Sequence, residues 1–207
     1  MTNILIHGLG QNESSWDLVK GELEKKNIKV EVPNLFTLIK DNSSDYTTLF
    51  HEFTDYCNQF DGKVNLCGLS LGGILALQYA KEFPNKVHSL ILIATPYQIP
   101  KFLFKIQNLI FCFMPKRIFN KMGVLKSDFI SLVNSMSNLE IAEDLDKIKC
   151  KSLILCGIKD KSNLESSKLL NEHISDSVFK TVRNSSHEVN VDQPIELSDS
   201  IYQFWCK

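Results

Sequence analysis

The sequence predicts an α/β fold: a three-layer sandwich in which a mostly parallel sheet of about six strands carries helices on both faces and takes a short helical cap insertion. Three observations predict it. Short apolar, β-branched runs alternate with longer amphipathic stretches along the chain, the rhythm of strand–helix units that assemble parallel sheets. The run at 88–94 is almost wholly apolar, as a strand covered on both faces must be. The length, 207 residues, suits a single domain that buries a sizeable core without covalent staples.

Each element has a local reason. Ile4-Leu5-Ile6 is a short buried strand ending at His7-Gly8. Ser14-Ser15 are expected to cap a helix running through Lys26, with Trp16, Val19 and Leu23 on one face. Trp16 there reads as packing rather than as a substrate-stacking ring. Residues 28–32 form a second strand, stopped by Pro33. Asn42-Ser43-Ser44-Asp45 is a cap-rich break. The helix after it places Leu49, Phe53, Tyr56 and Phe60 at three- and four-residue spacing. Residues 64–67 form a strand that leads through a glycine-rich turn into a helix over 71–83, which Pro84-Asn85 ends. After the apolar strand come two more, 152–156 and 178–182, with a helix near 164–173 between them. The last helix begins at Pro194, a good first-turn residue, and buries Leu197, Ile201, Phe204 and Trp205.

One segment breaks the rhythm, and it is read as a cap or lid, 97–140, inserted in a single domain spanning 1–207. From Pro96 to Glu140 there are six basic residues (Lys101, Lys105, Lys116, Arg117, Lys121, Lys126) and two acids (Asp128, Glu140), a local charge of +4 in a chain of net −1. The cluster Phe102, Leu103, Phe104, Leu109, Ile110, Phe111, Phe113 and Met114 reads as cap packing that also lines an acyl pocket. Its cationic flank leaves contact with a membrane surface or a partner as less favoured readings.

Composition excludes several classes. Apolar residues are 43% and charged residues 23%, too apolar for intrinsic disorder and too neutral for a nucleic-acid binder that relies on bulk positive charge. The six cysteines include no Cys-x-x-Cys pair, so a zinc site has little support. The N-terminal residues lack the basic flank and long apolar run of a secretory leader. Reduced thiols and a cytoplasmic location are therefore expected. The longest apolar-rich stretch, 102–114, is too short to span a bilayer.

The sharpest chemical signal is Gly68-Leu69-Ser70-Leu71-Gly72-Gly73, between a strand and a helix. A serine on so sharp a turn is held exposed, and a Cβ on the flanking glycines would meet neighbouring backbone. The helix start behind it offers free N–H groups to a developing oxyanion. The same six residues could also be a plain turn with an incidental serine.

These residues, with the following Ile74-Leu75-Ala76-Leu77, Phe83-Pro84 and Leu90-Ile91-Leu92-Ile93, resemble the nucleophile elbow and next strand of the α/β-hydrolase fold superfamily. His7-Gly8-Leu9-Gly10 is similar to its oxyanion loop. The resemblance runs from Ile4 to Trp205. It implies a serine hydrolase with no metal or organic cofactor, acting on a small-molecule carboxylic ester. Ser70 would be the nucleophile, His187 the base and Asp160 the acid that orients it. The backbone N–H groups of Leu9 and Leu71 would form the oxyanion hole. Five histidines are available: His7, His51, His88, His173 and His187. The family order of nucleophile, acid, histidine leaves His173 and His187, and His173 falls within a predicted helix. His187 follows the last strand. Asn184-Ser185-Ser186 stand where a glycine often precedes that histidine. Asp160 follows an apolar strand and Gly157, although a loop aspartate there can equally cap the next helix. Asp192 is a rival acid that suits capping the helix at Pro194 better. His7 is expected to prop its loop. A thioesterase or a carbon–carbon bond hydrolase or lyase fits the same triad, and a non-catalytic ligand- or partner-binding protein of this fold is a further alternative that an intact triad argues against.

Overall fold

Five parallel strands form one sheet: β1 (Thr2–Ile6), β2 (Val64–Leu69), β3 (Val87–Ile93), β4 (Lys151–Gly157) and β5 (Ser177–Val182), paired in that spatial order. The computed structural model describes residues 1–39, 44–98, 111 and 113–206. The register aligns Ile6 with Gly68, Gly68 with Leu92, and Ile93 with Leu155, so all five strands end on one edge.

Alternation along the strands sorts side chains to two faces. Ile4, Ile6, Leu66, Leu90, Leu92 and Ile154 share one core with α2 (Leu35–Leu38), α3 (Tyr46–Asn58) and α4 (Leu71–Glu82). Leu5, Cys67, Leu69, Ile91, Ile93, Leu153 and Leu155 share the other with Trp16 and with Val19 and Leu23 of α1 (Asp17–Glu24). The three layers follow from that alternation. Trp16 is fully buried in the second core, a packing residue.

Among the described residues the strand count is five rather than six. Among the described residues, the segment 28–32 makes a single backbone bridge to the sheet, at Glu31, which pairs with Ile4 in parallel sense. Its N–H donates to Asn3 O at 2.8 Å and its carbonyl accepts from Leu5 N at 2.9 Å. Asn27 at φ 60° and Pro33, which has no N–H to donate, leave too little extended chain for a ladder. The first helix also differs. Asn12, not Ser14 or Ser15, caps it, accepting from Ser14 N at the start of a 3₁₀ turn over Glu13–Trp16, and α1 proper ends at Glu24. Asp45 caps α3 by accepting from Thr48 N, while Asn42 and Ser43 lie outside the described residues.

Of the segment read from the sequence as a 97–140 insertion, residues 99–110 and 112 lie outside the described residues, and with them Phe102, Leu103, Phe104, Leu109, Ile110 and Cys112. The described part forms α5 (Lys116–Lys121) and α6 (Lys126–Ser135). These bury Phe119, Phe129, Leu132 and Val133 in the core shared with α2 and α3. Phe129 is ringed by Phe36, Phe111 and Phe119 at centroid distances of 6.2, 5.0 and 5.0 Å. Phe113, by contrast, is 82% exposed. The segment that carries α5 reaches the loop after β1: Asn12 Nδ2 donates to Lys121 O at 3.5 Å. After it, β4 is followed by α7 (Lys161–His173), and β5 by the short α8 (Val189–Asp192) and α9 (Pro194–Trp205), with Leu197 and Ile201 packed beside Val19 and Leu23 in the second core. The described cysteines Cys57, Cys67, Cys150, Cys156 and Cys206 are free thiols. Among the described residues no helix is long and apolar enough to cross a membrane.

Candidate active site

Parallel strands place their succeeding loops on one edge of the sheet, and four chemistry-bearing loops meet there. Ser70 stands between β2 and α4 with φ 54° and ψ −111°. A non-glycine residue in that region costs about 1–3 kcal/mol. The turn holds because its surroundings over-determine it. Ser70 N donates to Ile93 O at 2.9 Å, and Ser70 O accepts from Ile74 N at 3.0 Å. The flanking glycines are sterically obligatory: a Cβ on Gly68 would lie 2.2 Å from Gly72 O, and one on Gly72 2.3 Å from Ile6 O. The turn thus puts Ser70 at the mouth of the edge, half-buried.

The loop after β1 leans on this serine. A Cβ on Gly8 would meet Ser70 Cβ at 3.5 Å. His7 is fully buried beneath that loop. Its Nε2 accepts from Leu35 N at 3.0 Å, which makes Nδ1 the protonated nitrogen that donates to Gly8 O at 3.0 Å. Burial pushes its pKa below the ordinary value, against smaller opposing effects of the Gly8 hydrogen bond and Glu13. His7 is therefore a neutral prop. The N–H groups of Leu9 and Leu71 meet no acceptor among the described residues. Leu71 is the first residue of α4, where no intrahelical partner exists.

Asp160 and His187 meet on the loops after β4 and β5. Asp160 Oδ2 lies 2.8 Å from His187 Nδ1. The two loops are in contact because Gly157 lets them: a Cβ there would sit 2.1 Å from Ser186 O. Asp160 also caps α7, accepting from Asn163 N at 3.2 Å, so one carboxylate both caps the helix and meets His187. Burial pushes its carboxyl up, but hydrogen bonds from His187 and Asn163, with the His187 charge, outweigh burial and hold it below the usual carboxylate value. An ionised Asp160 fixes Nδ1 as the donor and leaves His187 Nε2 as the basic nitrogen. Ser70 makes no hydrogen bond to His187 among the described residues. The structure thus joins the acid to the histidine and brings the serine to the same edge without closing the last contact.

Asp192 does not cap the final helix, whose first residues have no side-chain cap. It accepts from Ser186 N at 2.7 Å and Ser186 Oγ at 2.8 Å, pinning the turn that leads into His187, with Asn184 at φ 57°. These Ser186 hydrogen bonds hold the Asp192 carboxyl below its usual value. His173 is exposed, with Nδ1 bound to Leu169 O at 2.8 Å, away from this set.

Two further groups escape sequence reasoning. Asn163 Nδ2 donates to Asp160 Oδ2 at 2.9 Å and lies 3.2 Å from His187 Nδ1. Its spacing, three residues after a capping aspartate, is the one signal for it. Gln11 and Asn190 pair across 179 positions of sequence, and no local pattern marks such a pair.

Comparison with known proteins agrees with this architecture. The chain matches the model of the alpha/beta hydrolase family over residues 4–199, and it belongs to that family. It is 22% identical to monoacylglycerol lipase ABHD6 of Mus musculus in a match covering 97% of this chain and 74% of that protein. It is 31% identical over 99 residues to a protein of Mycobacterium tuberculosis, a match covering 44% of this chain and 28% of that protein's length. Among solved structures, a bromoperoxidase from Bacillus anthracis superposes with a TM-score of 0.82 at 16% identity, covering 100% of this chain and 92% of that one.

Proposed function

We propose that this alpha/beta hydrolase is a serine hydrolase that cleaves a carboxylic ester of a small or acyl substrate through Ser70, His187 and Asp160. One observation carries the reading: the 2.8 Å contact of His187 Nδ1 with a buried, ionised Asp160, on the edge where Ser70 is held on a strained turn. A serine hydroxyl is a poor nucleophile until a base takes its proton. An imidazole whose Nδ1–H is locked on a carboxylate presents Nε2 for that task.

In this reading Ser70 Oγ attacks the acyl carbon as Nε2 takes its proton. Asp160 stabilises the imidazolium. The N–H groups of Leu9 and Leu71 hold the oxyanion, each worth about 3 kcal/mol of transition-state stabilisation. The imidazolium protonates the leaving alcohol, and water activated by the same nitrogen releases the acid. The transfer needs Nε2 within about 3 Å of Oγ, a contact that commonly tightens only with substrate bound. The name of the mouse relative, a lipase, supports an ester bond.

The test is hydrolysis of p-nitrophenyl esters from acetyl to long acyl, beside acyl thioesters of equal chain length. Turnover is expected for the esters and is expected to fall on the order of 10⁴-fold or more in Ser70→Ala and His187→Ala. Equal rates in wild type and Ser70→Ala would overturn the assignment. A clear preference for thioesters would keep the triad and change the bond.

A further inference from the structure

The two outermost strands, β1 and β5, end four strand positions apart, roughly 19 Å at the usual spacing of a sheet. The loops after them are nevertheless tied together by a pair of side-chain amides. Gln11 Nε2 donates to Asn190 Oδ1 at 3.2 Å, and Asn190 Nδ2 donates to Gln11 Oε1 at 3.2 Å. Both residues are buried, 7% and 0% exposed.

The remaining bonds of the pair grip both loops. Gln11 Oε1 also accepts from Gly8 N at 3.4 Å and from Ser15 Oγ at 3.2 Å. Gln11 Nε2 also donates to Glu188 Oε1 at 3.0 Å, and Asn190 Nδ2 to Ser15 O at 3.1 Å. One end of the link therefore holds the backbone on the N-terminal side of Leu9. The other holds the residue next to His187 and the one two further on.

We propose that Gln11 and Asn190 are positioning residues: their paired amides set the loop that carries the Leu9 N–H at a fixed place relative to the loop that carries His187. This rests on the reading of Leu9 N–H as an oxyanion donor and His187 as the base. The need is physical. Leu9 lies between Gly8 and Gly10, and Gly10 has φ 86°, so its loop has little conformational stiffness of its own. An oxyanion donor works only within about 2.7–3.1 Å of the developing charge, and a misplacement of about 1 Å costs on the order of 10²-fold in rate. Truncating Gln11 leaves the buried Asn190 Oδ1 without its donor and frees Gly8 N from its side-chain acceptor, and truncating Asn190 removes the partner that holds the Gln11 amide against the loop after β5.

The experiment compares wild type, Gln11→Ala, Asn190→Ala, the double variant and the length-swapped pair Gln11→Asn/Asn190→Gln. It reads kcat and KM on p-nitrophenyl acetate, and affinity for a trifluoromethyl ketone, whose tetrahedral adduct with serine places an oxyanion in the hole. Each single variant is expected to lower kcat on the order of 10–100-fold, with KM within about twofold and ketone affinity falling in step. The double variant is expected to be no worse than the poorer single, because the two residues form one link. The swapped pair is expected to regain part of the loss. Multiplicative losses, or a lowered Tm with kcat and ketone affinity unchanged, would overturn the proposal. Amide hydrogen exchange over residues 7–12 separates this idea from the hydrolase reading. If wild type has no esterase activity, that reading fails by itself. Exchange that stays unchanged in the two single variants would then refute the link as well, and faster exchange would uphold it.

Discussion

The two ends of one sheet are built to opposite standards. At the carboxyl ends of the strands the backbone is strained and crowded. Ser70, Ala94 and Asn184 take φ of 54°, 47° and 57° just beyond β2, β3 and β5, and Gly68, Gly72 and Gly157 occupy contacts that no Cβ tolerates. At the amino ends the polar groups sit in a relaxed line. Ser89 Oγ donates to Asn65 Oδ1 at 2.6 Å, Asn65 Nδ2 to Asn3 Oδ1 at 2.8 Å, and Asn3 Nδ2 to Lys29 O at 2.8 Å. The difference teaches where stability is given up: the strained residues Ser70, Ala94 and Asn184 gather on the edge that carries Ser70 and His187, while Asn27, at φ 60°, stands before residues 28–32 at the opposite edge.

The strongest way to break that contrast is Gly72→Ala. Its Cβ would lie 2.3 Å from the carbonyl oxygen of Ile6, backbone that cannot yield without moving β1. A loss of at least about 3 kcal/mol is expected from urea unfolding, together with loss of activity. Asn65→Ala strikes the other end. It leaves Ser89, which is fully buried, without its acceptor, so a loss of about 1–2 kcal/mol is expected with kcat unchanged. A fall in kcat would show that the two ends are not independent. Ser70→Gly sharpens the contrast in the opposite direction. It removes the Cβ that makes φ 54° costly and is expected to raise stability by about 1 kcal/mol while abolishing hydrolysis. Unchanged or lower stability would mean that the turn stores no strain.

The gentlest probe is acid. His7 is neutral in the fold with its pKa lowered by burial, so its contribution is complete above about 6.5 and fades as the unfolded chain takes up the proton below that value. Asp160 is held below the ordinary carboxylate value, so its contribution is complete above about 4 and is lost as pH falls through the lower folded value. Thermal unfolding from pH 8 to 2 is expected to show both declines, and Asp160→Asn to shrink the lower one, to which Asp192 also contributes. A variant curve parallel to wild type below pH 4 would contradict the pairing of Asp160 with His187.

The sheet is legible in the sequence because buried parallel strands advertise themselves: the runs around Leu66, Leu90 and Ile154 are apolar on both faces and each ends at a turn. Residues 28–32 alternate instead, with Lys29 and Glu31 between Ile28, Val30 and Val32, the pattern of a half-exposed strand. Their lack of a full ladder depends on Asn27 and Pro33 acting together, which apolar patterning does not weigh. The elbow is legible because its glycines and serine are contiguous. Asp192 misleads because the Pro194 beside it signals a helix start, whereas its carboxylate turns back to Ser186. Gln11 and Asn190 are invisible for a deeper reason. Carboxamides carry no charge and no periodicity, and the partners are brought together only after the sheet has formed.

The central claim, that Ser70 is the nucleophile and His187 its base, is tested most directly by reacting the protein with a fluorophosphonate and mapping the adduct by peptide mass spectrometry. The expected result is a single adduct on Ser70, absent in Ser70→Ala and formed far more slowly in His187→Ala and Asp160→Asn. An unlabelled wild type that is correctly folded, or an adduct on any other residue, would contradict it.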